Sequence, residues 1–180
     1  MTKEVILVNG VPGSGKTTLG DGVAGHLGIP VLSKDRIKEG LADATAHPAL
    51  EAMLGMAAME VIWTLAAALP GPVVVDSWWF RPRDLHHALK GIKAAGAETT
   101  VEVWCDVPIS LAKERYAGRV RHGIHHDDRD MATEWAAWAA QAAPLAIGQV
   151  IRVDTTAPVN IPQLAAHIAN AMGASVAAEV

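Results

Sequence analysis

The chain has 180 residues and a formal net charge of −4, and hydrophobic residues make up 51% of it. That length suits one domain, and that apolar fraction argues for a packed core and against disorder. The negative charge counts against a general nucleic-acid-binding surface. A single cysteine, Cys105, excludes an intrachain disulfide. Because no leader pattern or long uninterrupted apolar span is present, we expect a cytoplasmic protein that does not enter a membrane.

A glycine-rich motif lies near the start of the chain. Residues 10–17 read GVPGSGKT and match the pattern G-x-x-x-x-G-K-[ST] in full. The apolar, β-branched run at residues 5–8 predicts a buried parallel strand before it. After it, Leu19, Val23 and Leu27 recur at helical spacing. A strand, this loop and then a helix form the context in which the pattern is a phosphate-binding loop, or P-loop.

The residue types of this motif suit an anion. Glycines let the backbone approach a phosphate closely, and the loop N–H groups then point at it from the positive end of the helix. Lys16 would reach the β- and γ-phosphates of a nucleotide, and the Thr17 hydroxyl would ligate Mg²⁺. The predicted nucleotide-binding residues in this stretch are Gly10, Val11, Pro12, Gly13, Ser14, Gly15, Lys16, Thr17 and Thr18.

Strands and helices alternate along the rest of the chain. Apolar runs predict further strands at residues 31–33, 73–76, 99–105 and 150–154. Helices are expected to begin at residues 34 and 108, the second running through Arg121, and to cover 48–69, 83–95, 131–143 and 161–172. Residues 41–47 read as a mobile connection. The alternation predicts an α/β fold with a five-stranded parallel sheet and helices on both faces.

Missing motifs exclude several classes of P-loop protein. Neither D-x-x-G nor N-K-x-D, which a GTPase would carry, occurs in the chain. Asp76 ends a predicted strand but is followed by Ser77, not by the acidic residue with which ABC and motor ATPases position water. The class that remains is the small kinases.

Successive blocks of the chain resemble those of small P-loop phosphotransferases. The blocks read NGVPGSGKTTL, LSKDRIKE, VVVDSWW, ERYAGRVRHG and VDTTAP. The relatives that share this order are shikimate and gluconate kinases, chloramphenicol phosphotransferase and the polynucleotide-kinase-like group of ATP-binding proteins. The resemblance implies one P-loop kinase-like domain over residues 1–180, in three layers, with a short lid at about residues 115–130.

The resemblance also implies roles for residues that follow the strands. Asp35 would orient or deprotonate the acceptor hydroxyl, unless it only caps a helix. Asp76 would support Mg²⁺ or contact the acceptor, unless it is a turn residue at the strand end. Lys34 and Arg36 could each hold an anionic acceptor or lie on a solvated face. Besides Asp35 and Asp76, the predicted acceptor-binding residues are Arg36, Trp78, Trp79 and Arg81.

Three arginines belong to the predicted lid. By resemblance Arg115 would stack on adenine, and Arg119 or Arg121 would move onto the transferring phosphoryl group. The alternative is an exposed basic helix face. Thr156 would close over the other side of the adenine. A zinc site built from His122, His125, His126, Asp127 and Asp128 is a further alternative to a polar lid.

We therefore expect an ATP- and Mg²⁺-dependent phosphotransferase that moves the γ-phosphoryl group to a hydroxyl of a small molecule. Its catalytic residues would be Lys16, Asp35 and Arg119. One alternative is a nucleotide-binding regulatory or toxin-like module, and another is a nucleic-acid 5′-end kinase. Sugars, antibiotics, nucleosides and shikimate-like acids all share this frame, so the acceptor and the oligomeric state stay open.

Overall fold

The computed structural model describes residues 2–45, 47, 50–120, 122–125 and 130–177, with side chains as far as residue 173. All strands are parallel and pair in the order β2-β3-β1-β4-β5. The strands are β1 Glu4–Asn9, β2 Val31–Ser33, β3 Val73–Asp76, β4 Thr99–Asp106 and β5 Gln149–Asp154. The helices within the described residues are α1 Lys16–Leu27, α2 Lys34–Thr45, α3 Glu51–Ala68, α4 Arg81–Ala94, α5 Ile109–Ala117, α6 Met131–Gln141 and α7 Ile161–Ala177. The predicted five-stranded α/β fold is confirmed.

Alternate residues of the central strands contribute to two separate hydrophobic cores, one on each face of the sheet. Ile6 and Val8 face one side of the sheet and pack with α1 and α7. Val5 and Leu7 face the other side and pack with α3 and α4. Because helices cover both faces, the central strands are continuously apolar and do not alternate with polar residues. Because all strands are parallel, their carboxyl ends lie at one edge of the sheet. Ligands of such sheets bind at this edge.

Several predicted boundaries are wrong. Residues 41–47 are not a connection as a whole, since α2 continues to Thr45, and Ala42 is buried in a small cluster with Leu54 and Ile124. The helix predicted to run through Arg121 ends at Ala117, because the chain turns at Gly118. Arg121 itself lies outside the described residues.

The other helix boundaries shift by a few residues. The helix predicted from residue 83 begins at Arg81, since Pro82 suits the first turn, where its missing N–H costs nothing. The helix predicted from residue 48 begins, within the described part, at Glu51. By length and mean hydropathy (1.3), α3 is the described helix that could cross a membrane, although Glu60 interrupts its apolar run. In this fold it packs between α2 and α4 over the sheet.

A buried polar network joins β1 and β4 to two loops. The amide of Asn9 donates to Glu102 Oε1 at 2.8 Å and to the Trp79 carbonyl at 3.2 Å. Its oxygen accepts from the backbone N–H groups of Gly10 and Trp79. Glu102, which is fully buried, also accepts from the N–H groups of residues 145 and 146. The network therefore ties the start of the P-loop to the loop after β3.

Close contact between α3 and α4 depends on one glycine. A Cβ built on Gly91 of α4 would lie 2.0 Å from the ring of Trp63 on α3. That ring in turn packs on Trp79, with centroids 5.9 Å apart. Any side chain at residue 91 would therefore push α4 away from α3.

We expect Gly91→Ala to lower the free energy of unfolding by roughly 1–3 kcal/mol, the usual effect of overpacking a rigid contact. The matched control is Gly25→Ala in α1, where a Cβ would have no neighbour within 4 Å. That change should raise stability by about 0.5–1 kcal/mol, because alanine is the better helix former. Denaturant unfolding measures both, and equal effects would contradict the packing described.

Candidate active site

The P-loop is held in a shape that only glycine adopts easily. Gly10, Gly13 and Gly15 have φ angles of +147°, +83° and +90°. A Cβ on Gly13 would lie 2.1 Å from the backbone oxygen of Ala112, so α5 packs directly on the loop. Val11 of the loop is buried in a cluster with α5 and with two tryptophans of α6. The loop is thus packed against α5 and α6 as well as joined to its flanking strand and helix.

The start of α1 is open to an anion. Gly15 precedes the helix, and no side chain in the described part of the chain caps its first turn. The N–H groups there keep their partial positive charge. Lys16 Nζ lies over the loop and donates to the Val11 carbonyl at 3.1 Å. Burial lowers the pKa of Lys16, and the charge of Asp76 acts in the opposite direction.

Asp76 connects three strand ends. Parallel pairing puts it beside Val8 of β1 and Ser33 of β2. Its Oδ2 accepts from the Thr17 hydroxyl at 2.9 Å and from the Ser33 hydroxyl at 3.0 Å. Burial raises the pKa of Asp76, while Lys16 lowers it. A desolvated carboxylate beside a hydroxyl is a donor set that fits Mg²⁺, which takes few protein oxygens and otherwise keeps water and phosphate.

One cleft of about 1630 Å³ opens along the carboxyl edge of the sheet. The P-loop forms one end, and Asp35, Asp76 and Arg119 line the same space. The charges of Asp35 and Arg119 both act on Lys16, the first raising its pKa and the second lowering it. Asp35 is exposed, and no described group hydrogen bonds to its carboxylate. Its side chain therefore does not cap α2 in this structure.

The predicted adenine-side residues are joined to each other. Arg115 lines the cleft and donates to the carbonyls of Thr155 and Thr156 at 2.9 and 3.0 Å. Asp154 Oδ1 accepts from the Thr156 N–H and closes the turn after β5. The guanidinium thus fixes the loop that ends β5 against α5.

Residues 122–125 of the predicted lid dock on α2. The ring of His122 lies 2.9 Å from an Asp43 oxygen, and the ring of His125 lies 2.9 Å from a Glu39 oxygen. Ile124 between them is buried. Ile124 thus anchors residues 122–125 on α2.

Of the residues in the zinc alternative, His126, Asp127 and Asp128 lie outside the described residues. Within the described part, no three His, Cys, Asp or Glu side chains are grouped so that they could hold a metal ion.

The acceptor-binding residues predicted from sequence are only partly brought together. Trp78 and Trp79 both line the cleft but point apart, Trp78 toward Trp138 of α6 and Trp79 toward α3. Arg36 lines the cleft with its guanidinium held by both oxygens of Asp21. Arg81 is exposed and is not among the residues that line the cleft.

The helices α3 and α4 form the outer walls of the cleft. The sequence analysis predicted both helices but gave no functional role to the faces that line the cleft. The α3 wall is largely apolar, with Met56, Met59 and Trp63 on one face. The α4 wall carries Arg83, His87 and Lys90. Their spacings of three, four and seven residues mark one helix face, which is the signal that could have found them. The cleft therefore has a phosphate end and a separate amphipathic end.

Sequence comparison places the chain in a family. Residues 5–145 match AAA_33, an AAA domain family. The chain belongs to the AAA_33 family. The matched span covers the P-loop, Asp35, Asp76 and the lid arginines of this AAA_33 domain. No curated protein matches it in sequence.

Solved structures of kinases share the fold of this AAA_33 domain. A candidate kinase from Chloroflexus aurantiacus is 25% identical with a TM-score of 0.81, over 94% of this chain and 98% of that one. A gluconokinase from Sinorhizobium meliloti is 22% identical with a TM-score of 0.58, over 97% and 92%. A shikimate kinase from Acinetobacter baumannii, solved with shikimate, is 17% identical with a TM-score of 0.59, over 94% and 92%. The predicted resemblance to small P-loop kinases is confirmed.

The raised pKa of Asp76 leads to a prediction about stability. The folded state holds the Asp76 proton more tightly than the unfolded state does. This group's contribution to stability therefore falls as pH rises from the ordinary aspartate pKa through the raised value. Asp76→Asn keeps an oxygen for both hydroxyls and removes the buried charge. We expect a higher melting temperature than wild type at neutral pH without ligands, and a loss of the further stabilisation by Mg²⁺ with an ATP analogue.

Thermal unfolding with and without Mg²⁺ and the analogue measures both effects. The exposed Glu114 supplies the control variant Glu114→Gln, which should behave as wild type in both conditions. A lower melting temperature for ligand-free Asp76→Asn, or an undiminished response to Mg²⁺, would contradict the assignment.

Proposed function

We propose that this AAA_33 domain is an ATP-dependent phosphotransferase that moves the γ-phosphoryl group to a hydroxyl of a small molecule. The observation that carries the proposal is the position of Asp35. This unpaired carboxylate lines the same cleft as Lys16, and its charge acts on that lysine. Transfer to a hydroxyl needs an acid–base group next to the phosphate end of the cleft. Nucleotide binding alone does not need one.

The residues around the cleft have separate roles in the proposed reaction. The P-loop N–H groups and Lys16 hold the β- and γ-phosphates of ATP. Asp35 orients the acceptor hydroxyl and accepts its proton as the oxygen attacks the γ-phosphorus. The bond from that phosphorus to the bridging oxygen breaks, and ADP leaves. Arg119 offsets negative charge on the transferring group, while Arg115 and Thr156 border the adenine.

Thr17 and Asp76 would hold Mg²⁺, which when bound neutralises phosphate charge. Asp76 is buried beside the Thr17 hydroxyl, which supports this assignment. We further propose one domain over residues 1–180, with a lid at about residues 115–130, in a cytoplasmic protein. The free, buried Cys105 is consistent with a reducing compartment.

The composition of the cleft favours a small acceptor over a nucleic-acid end. Both acidic and basic side chains line the cleft, and the α3 wall is largely apolar. A groove that tracks a nucleic-acid backbone is more uniformly basic. A regulatory module without an acceptor would leave the amphipathic end of the cleft without a ligand.

The first test is a screen for ATP-dependent phosphorylation over a library of hydroxyl-bearing metabolites and antibiotics, repeated with Lys16→Ala. We expect that variant to fold and to lose transfer, because the charge on the β- and γ-phosphates is gone. Lys93→Ala, on a part of α4 outside the cleft, is the control. Unchanged turnover by folded Lys16→Ala would end the proposal.

The second test separates chemistry from binding at Asp35. Asp35→Asn keeps the size of the side chain and removes its capacity to accept a proton. We expect the ATP Kd to change little and single-turnover transfer to fall by roughly 10²–10⁴-fold. Glu98→Gln, at the opposite edge of the sheet, should transfer normally. Normal transfer by Asp35→Asn would remove the catalytic role, and lost ATP binding would assign Asp35 to the metal site.

A further inference from the structure

Lys34 is a cation in the cleft that forms no ion pair or hydrogen bond with a described residue. It is the first residue of α2, and its half-buried side chain lines the cleft beside Asp35. Burial lowers the pKa of Lys34, and Asp35 acts in the opposite direction. No described residue hydrogen bonds or ion pairs with its ammonium group. An ammonium group has three N–H donors, and leaving them without acceptors away from water is costly.

Two other cations of α2 that line the cleft are held by carboxylates. Lys38 Nζ lies 2.9 Å from Glu51 Oε1. Arg36 forms two hydrogen bonds with the carboxylate of Asp21. Lys34 therefore differs from these two basic residues of the same helix, whose charges are paired.

Arg83 is a second cation next to Lys34. Its charge is among those that lower the pKa of Lys34. Asp84 fixes the guanidinium through Nε and Nη2, both at 2.7 Å, and Asp84 is itself held by the Phe80 N–H. Arg83 Nη1 has no partner among the described residues. Two neighbouring cations thus keep free donors at one place in the cleft.

We propose that the acceptor carries, besides its hydroxyl, a carboxylate or phosphate group, and that Lys34 and Arg83 bind this group. The inference rests on the proposed function, since it places the anion beside the hydroxyl that Asp35 orients. An anion here would satisfy the free donors and remove the repulsion between the two cations. Met59 and the buried Trp63 line the same cleft, and apolar surface near an ion pair strengthens it.

A binding experiment tests the anion site without turnover. The P-loop is first saturated with Mg²⁺ and a non-hydrolysable ATP analogue, so that added anions do not bind there. Inorganic phosphate or sodium acetate is then titrated into protein carrying ¹³C-labelled lysine. We expect the pKa of Lys34, followed by its own NMR signal, to rise with either anion, while Lys93 stays constant. The stronger of the two anions identifies the group that the acceptor carries.

The NMR signal is assigned by its disappearance in Lys34→Arg. Arg83→Gln should weaken the response of Lys34 to the anion. If neither anion moves the Lys34 signal, or if Lys34 and Lys93 move together, the proposed anion site is wrong. Either result is independent of whether the protein transfers phosphate.

A kinetic experiment tests whether the site selects substrates. Acids and their neutral counterparts form matched pairs, such as D-gluconate with D-glucitol and glycerol 3-phosphate with glycerol. We expect the charged member of a pair to be preferred. Lys34→Gln should raise the KM for it by roughly 10- to 100-fold with kcat and the KM for ATP nearly unchanged. Lys34→Arg should restore part of the loss, and Lys93→Gln should match wild type.

The two proposals fail in different ways. Efficient phosphorylation of neutral alcohols, with no effect of Lys34→Gln, would leave the phosphotransferase standing and overturn the anion site. Anion binding at Lys34 without transfer to any acceptor would retain the site and overturn the proposed function.

Discussion

The buried hydrogen-bond network of Asn9 and Glu102 is the constraint on which the cleft depends. Asn9 ends β1, and its side chain fixes both the first N–H of the P-loop and the backbone of Trp79. Glu102 holds that amide in place and also holds the chain at residues 145 and 146. Because the whole network is buried, loss of any member would leave polar groups without partners in the core. The network thus holds the start of the P-loop next to the loop after β3.

Within that frame, three ionisable groups in the cleft lie in environments that disfavour their charge. Burial lowers the pKa of Lys16 and Lys34 and raises that of Asp76. A fold gains no stability from such desolvation, and strongly perturbed groups that converge in one cleft are typical of functional sites. Bound phosphates, a divalent cation and an anionic acceptor would each offset one of these costs. The ligands that we propose carry charges opposite to those of these groups.

The residues that line the cleft differ in whether their positions could be predicted from the sequence. Asp76 and Asp35 could be located from sequence, because each follows a strand that ends at the P-loop edge. The spacing of Arg83, His87 and Lys90 marks one helix face, but only the fold shows that this face lines the cleft. Arg36 and Lys34 were equally plausible anion ligands in the sequence. Only the structure distinguishes them, by pairing Arg36 with Asp21 and leaving Lys34 without a partner.

The sequence by itself determined the P-loop, the alternation of strands and helices and the parallel sheet, because these follow from local spacing and from the period of apolar residues. It did not determine that α2 continues to Thr45 or that α5 ends at Ala117, since packing against distant segments and the turn at Gly118 set those limits. The roles of Asn9 and Glu102 likewise came only from the fold. A polar residue in an apolar strand shows that some partner exists, and long-range pairing of the strands decides which partner it is.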